Sequence, residues 1–104
     1  MAMNAQAMMK QAKKMQRKME EVQDQLADET VQATAGGGMV TATVTGDLRL
    51  VGLEIDPEAI DPEDAEMLQD TIIAAVNQGL SDAQAMASQR MGAVTGGMNI
   101  PGLF

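Results

Sequence analysis

The hydrophobic residues at the start of the chain recur at alternating spacings of three and four residues between Asn4 and about Asp28. This heptad repeat is typical of a helix that buries one narrow apolar stripe, and it predicts a helix of about 25 residues, roughly 37 Å long. We call these positions the α1 stripe. The stripe consists of Ala5, Met8, Ala12, Met15, Met19, Val22 and Leu26.

The next part of the chain is rich in Val and Thr and is punctuated by glycines, with the runs TVQATA, MVTATVT and LRLVGLEID. This pattern predicts three antiparallel strands in a meander. A two-residue turn at Gly46-Asp47 would set the register of the second hairpin. For Val31 and Ala33 to share its apolar face, the first turn needs an even number of residues, two or four of residues 35–38. The residues then expected together on that face are Val40, Ala42, Val44, Val51, Leu53 and Ile55.

A second helix is predicted to open at the sequence DPED, because Asp61 suits the N-cap and Pro62 the first helical position. Apolar residues at helical spacing carry it to about Arg90. Beyond Gly92 the chain is rich in Gly and lacks a helical repeat, which predicts a flexible tail. The predicted stripe of this helix is Ala65, Leu68, Ile72, Ala75 or Val76, Gly79 or Leu80, Ala83, and Met86 or Ala87.

These elements predict an α+β fold of order α-β-β-β-α, with a three-stranded antiparallel sheet and a long N-terminal helix. We expect a single domain over residues 1–91 and a tail over residues 92–104. The first helix is longer than short strands can cover, and a chain with eleven Met and one aromatic residue, Phe104, can form only a thin core. A homodimer that buries the α1 stripe is therefore expected. Its predicted interface residues are Met8, Met15, Met19, Val22 and Leu26.

The composition also excludes several kinds of chemistry. The chain has no Cys and no His, which removes disulfides, thiolate nucleophiles, imidazole bases and ordinary zinc sites. No oriented catalytic triad is recognisable, the acids of residues 54–70 lack the spacing of an EF-hand, and the glycines at 36–38 lack the Lys of a phosphate loop. We therefore expect no enzyme, metal or cofactor. An N-terminus without a signal sequence and the absence of a long apolar run predict a cytoplasmic protein without a membrane partner.

The charge distribution points to a polyanion. The net charge is -8, yet five cations and no acid lie within the first 18 residues. Four of them take outer positions of the heptad and Lys18 flanks the α1 stripe, so the five form one solvent-facing row, which we call the basic ridge. Because like charges at these spacings repel by a few tenths of a kcal/mol per pair, a phosphate-binding role explains the ridge better than a solvated face does. An anionic membrane is a weaker alternative, because the apolar side lacks Trp and Phe. The ridge is Lys10, Lys13, Lys14, Arg17 and Lys18.

Four segments, KQAKKMQRKMEEVQDQL, AGGGMVTATVTGDLRLVGLEIDPEAI, DAEMLQDTIIAAVNQGL and MGAVTGGMNIPGLF, together resemble the YbaB/EbfC family of nucleoid-associated proteins almost end to end. The resemblance implies non-enzymatic homodimers whose long helices project from a central body like tweezers and bind double-stranded DNA. It also implies a nucleoid location, and it suggests recombination or clamp-loader proteins as further partners. The ridge cations are the expected DNA-binding residues. Many members carry Lys in the strands and the second helix, where this chain has the segments VTATVTG and NQGLSDAQAMASQR with Arg90 alone, so binding is expected to be weaker and confined to the first helices. The alternative function is a dimeric adaptor for a recombination or replication protein.

Overall fold

The structure, a computed structural model, describes residues 4–95. It contains a long helix α1 (Ala5–Asp28), strands β1 (Thr30–Ala35), β2 (Val40–Thr45) and β3 (Leu50–Ile55), a short 3-10 helix (Pro57–Ala59) and a second long helix α2 (Ala65–Thr95). The strands form one antiparallel sheet in the order β1-β2-β3. The predicted α-β-β-β-α order is confirmed.

Helix α1 begins where the sequence places it. The Asn4 side chain accepts a hydrogen bond from the Gln6 N–H at 3.0 Å and caps the helix. Every residue from Asn4 to Lys14 is exposed, so the N-terminal half of α1 projects away from the rest of the protein. At its other end Leu26 is only 3% exposed, and its carbonyl accepts a hydrogen bond from the Gly46 N–H at 2.9 Å. Only the C-terminal part of α1 is therefore anchored to the body of the protein.

The turn of the first hairpin has an even number of residues, as predicted. Val31 lies opposite Val44 and Ala33 opposite Ala42, so all four share one face of the sheet. The turn is four residues long, as an even count requires, but it comprises residues 36–39, because Ala35 is still paired with Val40. All three glycines of this turn have positive φ, a conformation that glycine adopts without the steric cost of a Cβ.

The second hairpin differs from the prediction, because its loop has three residues rather than two. The Thr45 N–H donates to the Arg49 carbonyl at 2.8 Å, and the chain passes through Leu48 at φ 67°. This matches a three-residue hairpin loop whose last residue is left-handed. A bulge then places Leu50, not Val51, opposite Val44, and Val51 is 56% exposed. The predicted face is therefore wrong for Val51, whereas Leu53 and Ile55 do lie opposite Ala42 and Val40.

Helix α2 covers β1 and β2. Gly79 permits the close approach, because a Cβ added there would lie 2.8 Å from Val44 Cγ2. The core forms where the predicted stripe of α2 meets the sheet. Ala75 of α2 is buried against Val40 and Ala42 of β2. The partly buried residues that pack against these three are Ala35, Ile55, Leu68, Ile72 and Val76.

Both ends of α2 lie further along the chain than predicted. Asp64 caps the helix by accepting from the Met67 N–H at 3.3 Å, while Asp61 caps the preceding turn through the Glu63 N–H at 3.0 Å. Each of these closely spaced acids can form a cap, so composition does not distinguish between them. The helix continues to Thr95, four residues into the predicted tail. Residues 96–104 lie outside the described residues, so the domain boundary and the tail remain predictions.

Neither α1 nor α2, nor any other helix within residues 4–95, combines the length and apolarity needed to cross a bilayer.

Candidate nucleic-acid interface

The basic ridge occupies one side of the projecting part of α1. Its five side chains are all exposed. From Lys10 to Lys18 the helix rises by about 12 Å, and at about 100° per residue the five positions fall within an arc of about 140°. The α1 stripe lies on the opposite side of the helix. A rod-like polyanion lying along this arc can approach several cations without meeting the apolar stripe.

None of the five ridge cations forms an ion pair within residues 4–95. The other two cations of the chain are both engaged. Arg49 Nε lies 3.1 Å from Asp47 Oδ2, and an Arg90 guanidinium nitrogen lies 2.8 Å from Glu29 Oε1. Within residues 4–95, the cations that form no ion pair are therefore all on α1. The sequence alone cannot show that Arg49 and Arg90 are paired with acids.

Asp47 lies in the β2–β3 loop, and Arg49 directly follows this loop. The buried Thr45 hydroxyl hydrogen-bonds the Asp47 carboxylate and accepts from the Arg49 N–H at 3.0 Å. The hydrogen bond from Thr45, with help from the Arg49 guanidinium, holds the pKa of Asp47 below its ordinary value. Arg49 is thus part of the network that closes this loop.

The charge on the solvent side of α1 changes sign along the helix. Beyond Lys18 the next charged residues are Glu20, Glu21, Asp24 and Asp28, and all four are exposed. The acids of the segment before α2 and of its first turns are exposed as well. A phosphate backbone is therefore attracted to the projecting end of α1 and repelled closer to the sheet.

The residues of the predicted dimer interface lie in different surroundings. Met8 is 51% exposed, Met15, Met19 and Val22 are partly buried, and Leu26 is buried within the chain itself. The C-terminal end of the α1 stripe is thus covered without a second copy. Heptad spacing predicts that a stripe is buried but does not say which element buries it. The sequence analysis therefore did not predict that Leu26 is buried within its own chain.

The sequence analysis rejected two other candidate sites, a phosphate loop at the glycines and a metal site at the acids. The three glycines join two strands, so they form a hairpin turn and not a strand-to-helix phosphate loop. Within residues 4–95 no group of three or more acids is arranged to hold a metal ion. The basic ridge is the strongest candidate site in the described chain.

Comparison with known proteins gives consistent matches. The model of the YbaB/EbfC DNA-binding family matches residues 1–98. A nucleoid-associated protein of Alkaliphilus metalliredigens is 54% identical over 103 residues, which cover 99% of this chain and 90% of that protein. One from Pelotomaculum thermopropionicum is 54% identical over 101 residues, covering 97% and 96%. The crystal structure of an uncharacterized protein from Helicobacter pylori has the same fold, with a TM-score of 0.76 at 22% identity, covering 94% of this chain and all of that one.

Proposed function

The chain belongs to the YbaB/EbfC DNA-binding family, and we propose that it binds duplex DNA through the basic ridges on the α1 helices of a homodimer. The proposed location is the nucleoid, since its relatives are named nucleoid-associated proteins. The proposed role is architectural, without catalysis or a cofactor.

The observation that carries this proposal is the set of five unpaired cations on a projecting helix. Within an otherwise acidic chain, cations left free of internal partners are available to phosphates. A purely solvated helix gains nothing from concentrating them on one side, where they repel one another. Displacement of counterions from DNA gives the ridge its affinity.

Recognition of DNA sequence is expected to be slight. Four of the five ridge cations are Lys, a point charge that contacts phosphates, and only Arg17 offers the forked geometry that reads guanine. The chain has a single aromatic residue, Phe104, so few side chains can stack on bases. Phosphate contacts position a protein on DNA without reading its sequence.

The experiment that tests this proposal is a mobility shift on mixed-sequence duplex DNA at low and moderate salt. We expect binding at low salt that weakens steeply as salt rises. Failure to shift DNA at low salt would overturn the proposal. Binding to an acidic replication or recombination protein, without DNA binding, would instead support the adaptor function.

A further inference from the structure

The C-terminal end of α1 is joined to the sheet almost without a linker. Helix α1 ends at Asp28 and β1 begins at Thr30, so Glu29 alone lies between them. The Gly46 N–H donates to the carbonyls of both Leu26 and Glu29 at 2.9 Å. A Cβ at position 46 would lie 2.6 Å from the Leu26 carbonyl oxygen, so this approach requires a glycine. These contacts hold one end of α1 against the sheet.

Contacts within the last turn of α1 hold its end more firmly than they hold its direction. Lys10 precedes Leu26 by 16 residues, and the basic ridge begins there. This separation is about 24 Å along the helix axis, so a swing of about 10° moves Lys10 by about 4 Å. A hydrogen bond to a phosphate spans about 3 Å and does not survive such a displacement. A second attachment, to an element other than the sheet, is therefore needed to fix where the ridge lies.

The surface between α1 and α2 is not closely packed beside the sheet. An open cavity of about 580 Å³ lies there, lined by Ala27 of α1 and by Ala87 and Ser88 of α2. Close-packed interfaces leave few voids larger than a water molecule. Because the side chains that face this cavity are small, they do not interlock, and packing at this level leaves α1 free to tilt.

Arg90 of α2 supplies a direct link between the two helices. A nitrogen of its guanidinium lies 2.8 Å from Glu29 Oε1, although the two residues are 61 positions apart. The other ion pair within residues 4–95, between Arg49 and Asp47, is local to the β2–β3 loop. The Arg90–Glu29 pair therefore provides the second attachment of α1, to α2.

This ion pair is better suited to fixing a direction than to stabilising the fold. The Arg90 and Glu29 side chains are 42% and 38% exposed, and ion pairs with that exposure contribute little to stability. The other carboxylate oxygen, Glu29 Oε2, is buried and accepts no hydrogen bond within the described residues, so the pair lacks the second bond of a forked arrangement. A single charge-assisted hydrogen bond still has a short, defined length, which restricts how far α1 can swing away from α2.

We propose that Glu29 and Arg90 are positioning residues for DNA binding, because their ion pair fixes the direction of α1 and thereby the place of the basic ridge. The inference rests on the proposed function, in which the ridges of two α1 helices bind duplex DNA. A ridge that is already held in place loses little conformational freedom on binding. Two ridges of fixed direction can also engage the same duplex together, which raises the apparent affinity.

Glu29→Met gives the sharpest test, because charge and positioning predict opposite signs. Removal of an acid close to the ridge lessens the repulsion of phosphates, so charge alone predicts equal or tighter binding. Direct phosphate binding by Arg90 predicts tighter binding too, since the variant would release its guanidinium. Loss of positioning predicts an apparent affinity about tenfold lower, measured by fluorescence anisotropy on duplex DNA at low salt. Asp28→Asn is the matched control, because it removes one negative charge at the adjacent exposed position, and its affinity is expected to be kept or slightly raised.

The arginines provide a second matched pair of variants. Arg90→Met and Arg49→Met each remove one positive charge and one ion pair. Arg90→Met is expected to weaken binding about as much as Glu29→Met does, whereas Arg49→Met should have much less effect. Exchange of the two charges, by Glu29→Arg together with Arg90→Glu, is expected to restore most of the affinity.

The direction of α1 can also be measured without DNA. The chain has no Cys, so nitroxide labels can be attached at two exposed positions through Gln11→Cys on α1 and Asn77→Cys on α2. Electron paramagnetic resonance on labelled chains diluted with unlabelled ones is expected to give a narrow distance distribution, which Glu29→Met broadens. Circular dichroism and the melting temperature are expected to change little, because an exposed ion pair contributes little to stability.

A distance distribution that neither Glu29→Met nor Arg90→Met broadens would overturn the inference. So would a Glu29→Met variant that binds DNA as tightly as Asp28→Asn, or one whose melting temperature falls steeply, since the pair would then act through the whole fold. If the distances broaden as expected but the wild type does not bind DNA at low salt, the proposed function is contradicted. The ion pair would still orient α1 in that case.

Discussion

Replacing Lys13, Arg17 and Lys18 with Glu is expected to abolish binding to duplex DNA without disturbing the fold. All three side chains are exposed and lie away from the α1 stripe, and none forms an ion pair within residues 4–95. The change turns the ridge of each chain from five positive charges to two positive and three negative. Phosphates would then meet a surface with a net negative charge.

The magnitude follows from the number of phosphates that the ridges can reach. A dimer presents ten ridge cations, but those on opposite sides of a helix pair cannot all contact one duplex. With about four to six contacts, at about -0.9 per contact, log K against log salt should have a slope of roughly -4 to -5. Between 50 and 200 mM salt the wild-type affinity should accordingly fall by about 250- to 1,000-fold.

The assay is fluorescence anisotropy with a labelled mixed-sequence duplex at several salt concentrations. Lys14→Glu and Arg49→Glu form a matched pair, because each changes the charge by the same amount and only Lys14 is on the ridge. Lys14→Glu should weaken binding and flatten the slope, whereas Arg49→Glu should do much less. Wild-type binding by the triple variant would refute the assignment of the ridge, and binding with a flat salt response would refute the electrostatic mechanism.

Two further predictions concern stability. Gly79→Ala should lower the melting temperature, because the added Cβ would lie 2.8 Å from Val44 Cγ2. Such overpacking costs about 1–3 kcal/mol, whereas the gain in helix propensity is about 1 kcal/mol. Gly92→Ala, whose Cβ would meet no atom within 4 Å, should raise it; calorimetry that finds the same sign for both would contradict this account of packing. Asp47→Asn should destabilise the protein at neutral pH, because the hydrogen bond from Thr45 is stronger to an ionised carboxylate than to a neutral amide. The destabilisation should become smaller as the pH falls through the lowered pKa of Asp47, because the wild-type carboxylate is then neutral as well. Equal destabilisation at pH 7 and pH 2.5 would show that the charge is not the cause.

The positions of the helices could be predicted because helical periodicity is a local property. The heptad repeat, which runs from Asn4, predicted the start of α1 to within a residue. The start of α2 was less certain, because Asp61 and Asp64 can both cap and both do so in successive turns. Its continuation to Thr95 was missed because glycine weakens a helix without stopping it.

The second hairpin shows where local patterns are insufficient. Gly46-Asp47 is a common two-residue turn, but here the loop also contains Leu48 in a left-handed conformation. The Thr45 hydroxyl and the Asp47 carboxylate hold that loop closed, and the Gly46 N–H is drawn to the carbonyl of Leu26 at the end of α1. The contact between Gly46 and Leu26 joins segments that are distant in the chain, and it accompanies a loop length that the local pattern did not predict.

The sequence by itself determined the order of the elements, the helical spacing of the apolar residues and the side of α1 that carries the cations. Each of these depends on residues within a few turns of one another. Only the tertiary structure decided that Arg49 and Arg90 are committed to acids, that Leu26 is buried within its own chain, and that α2 leaves β3 uncovered. These outcomes depend on where segments distant in the chain come to pack. A hydrophobic pattern states that a surface must be covered, but the packing of distant elements decides what covers it.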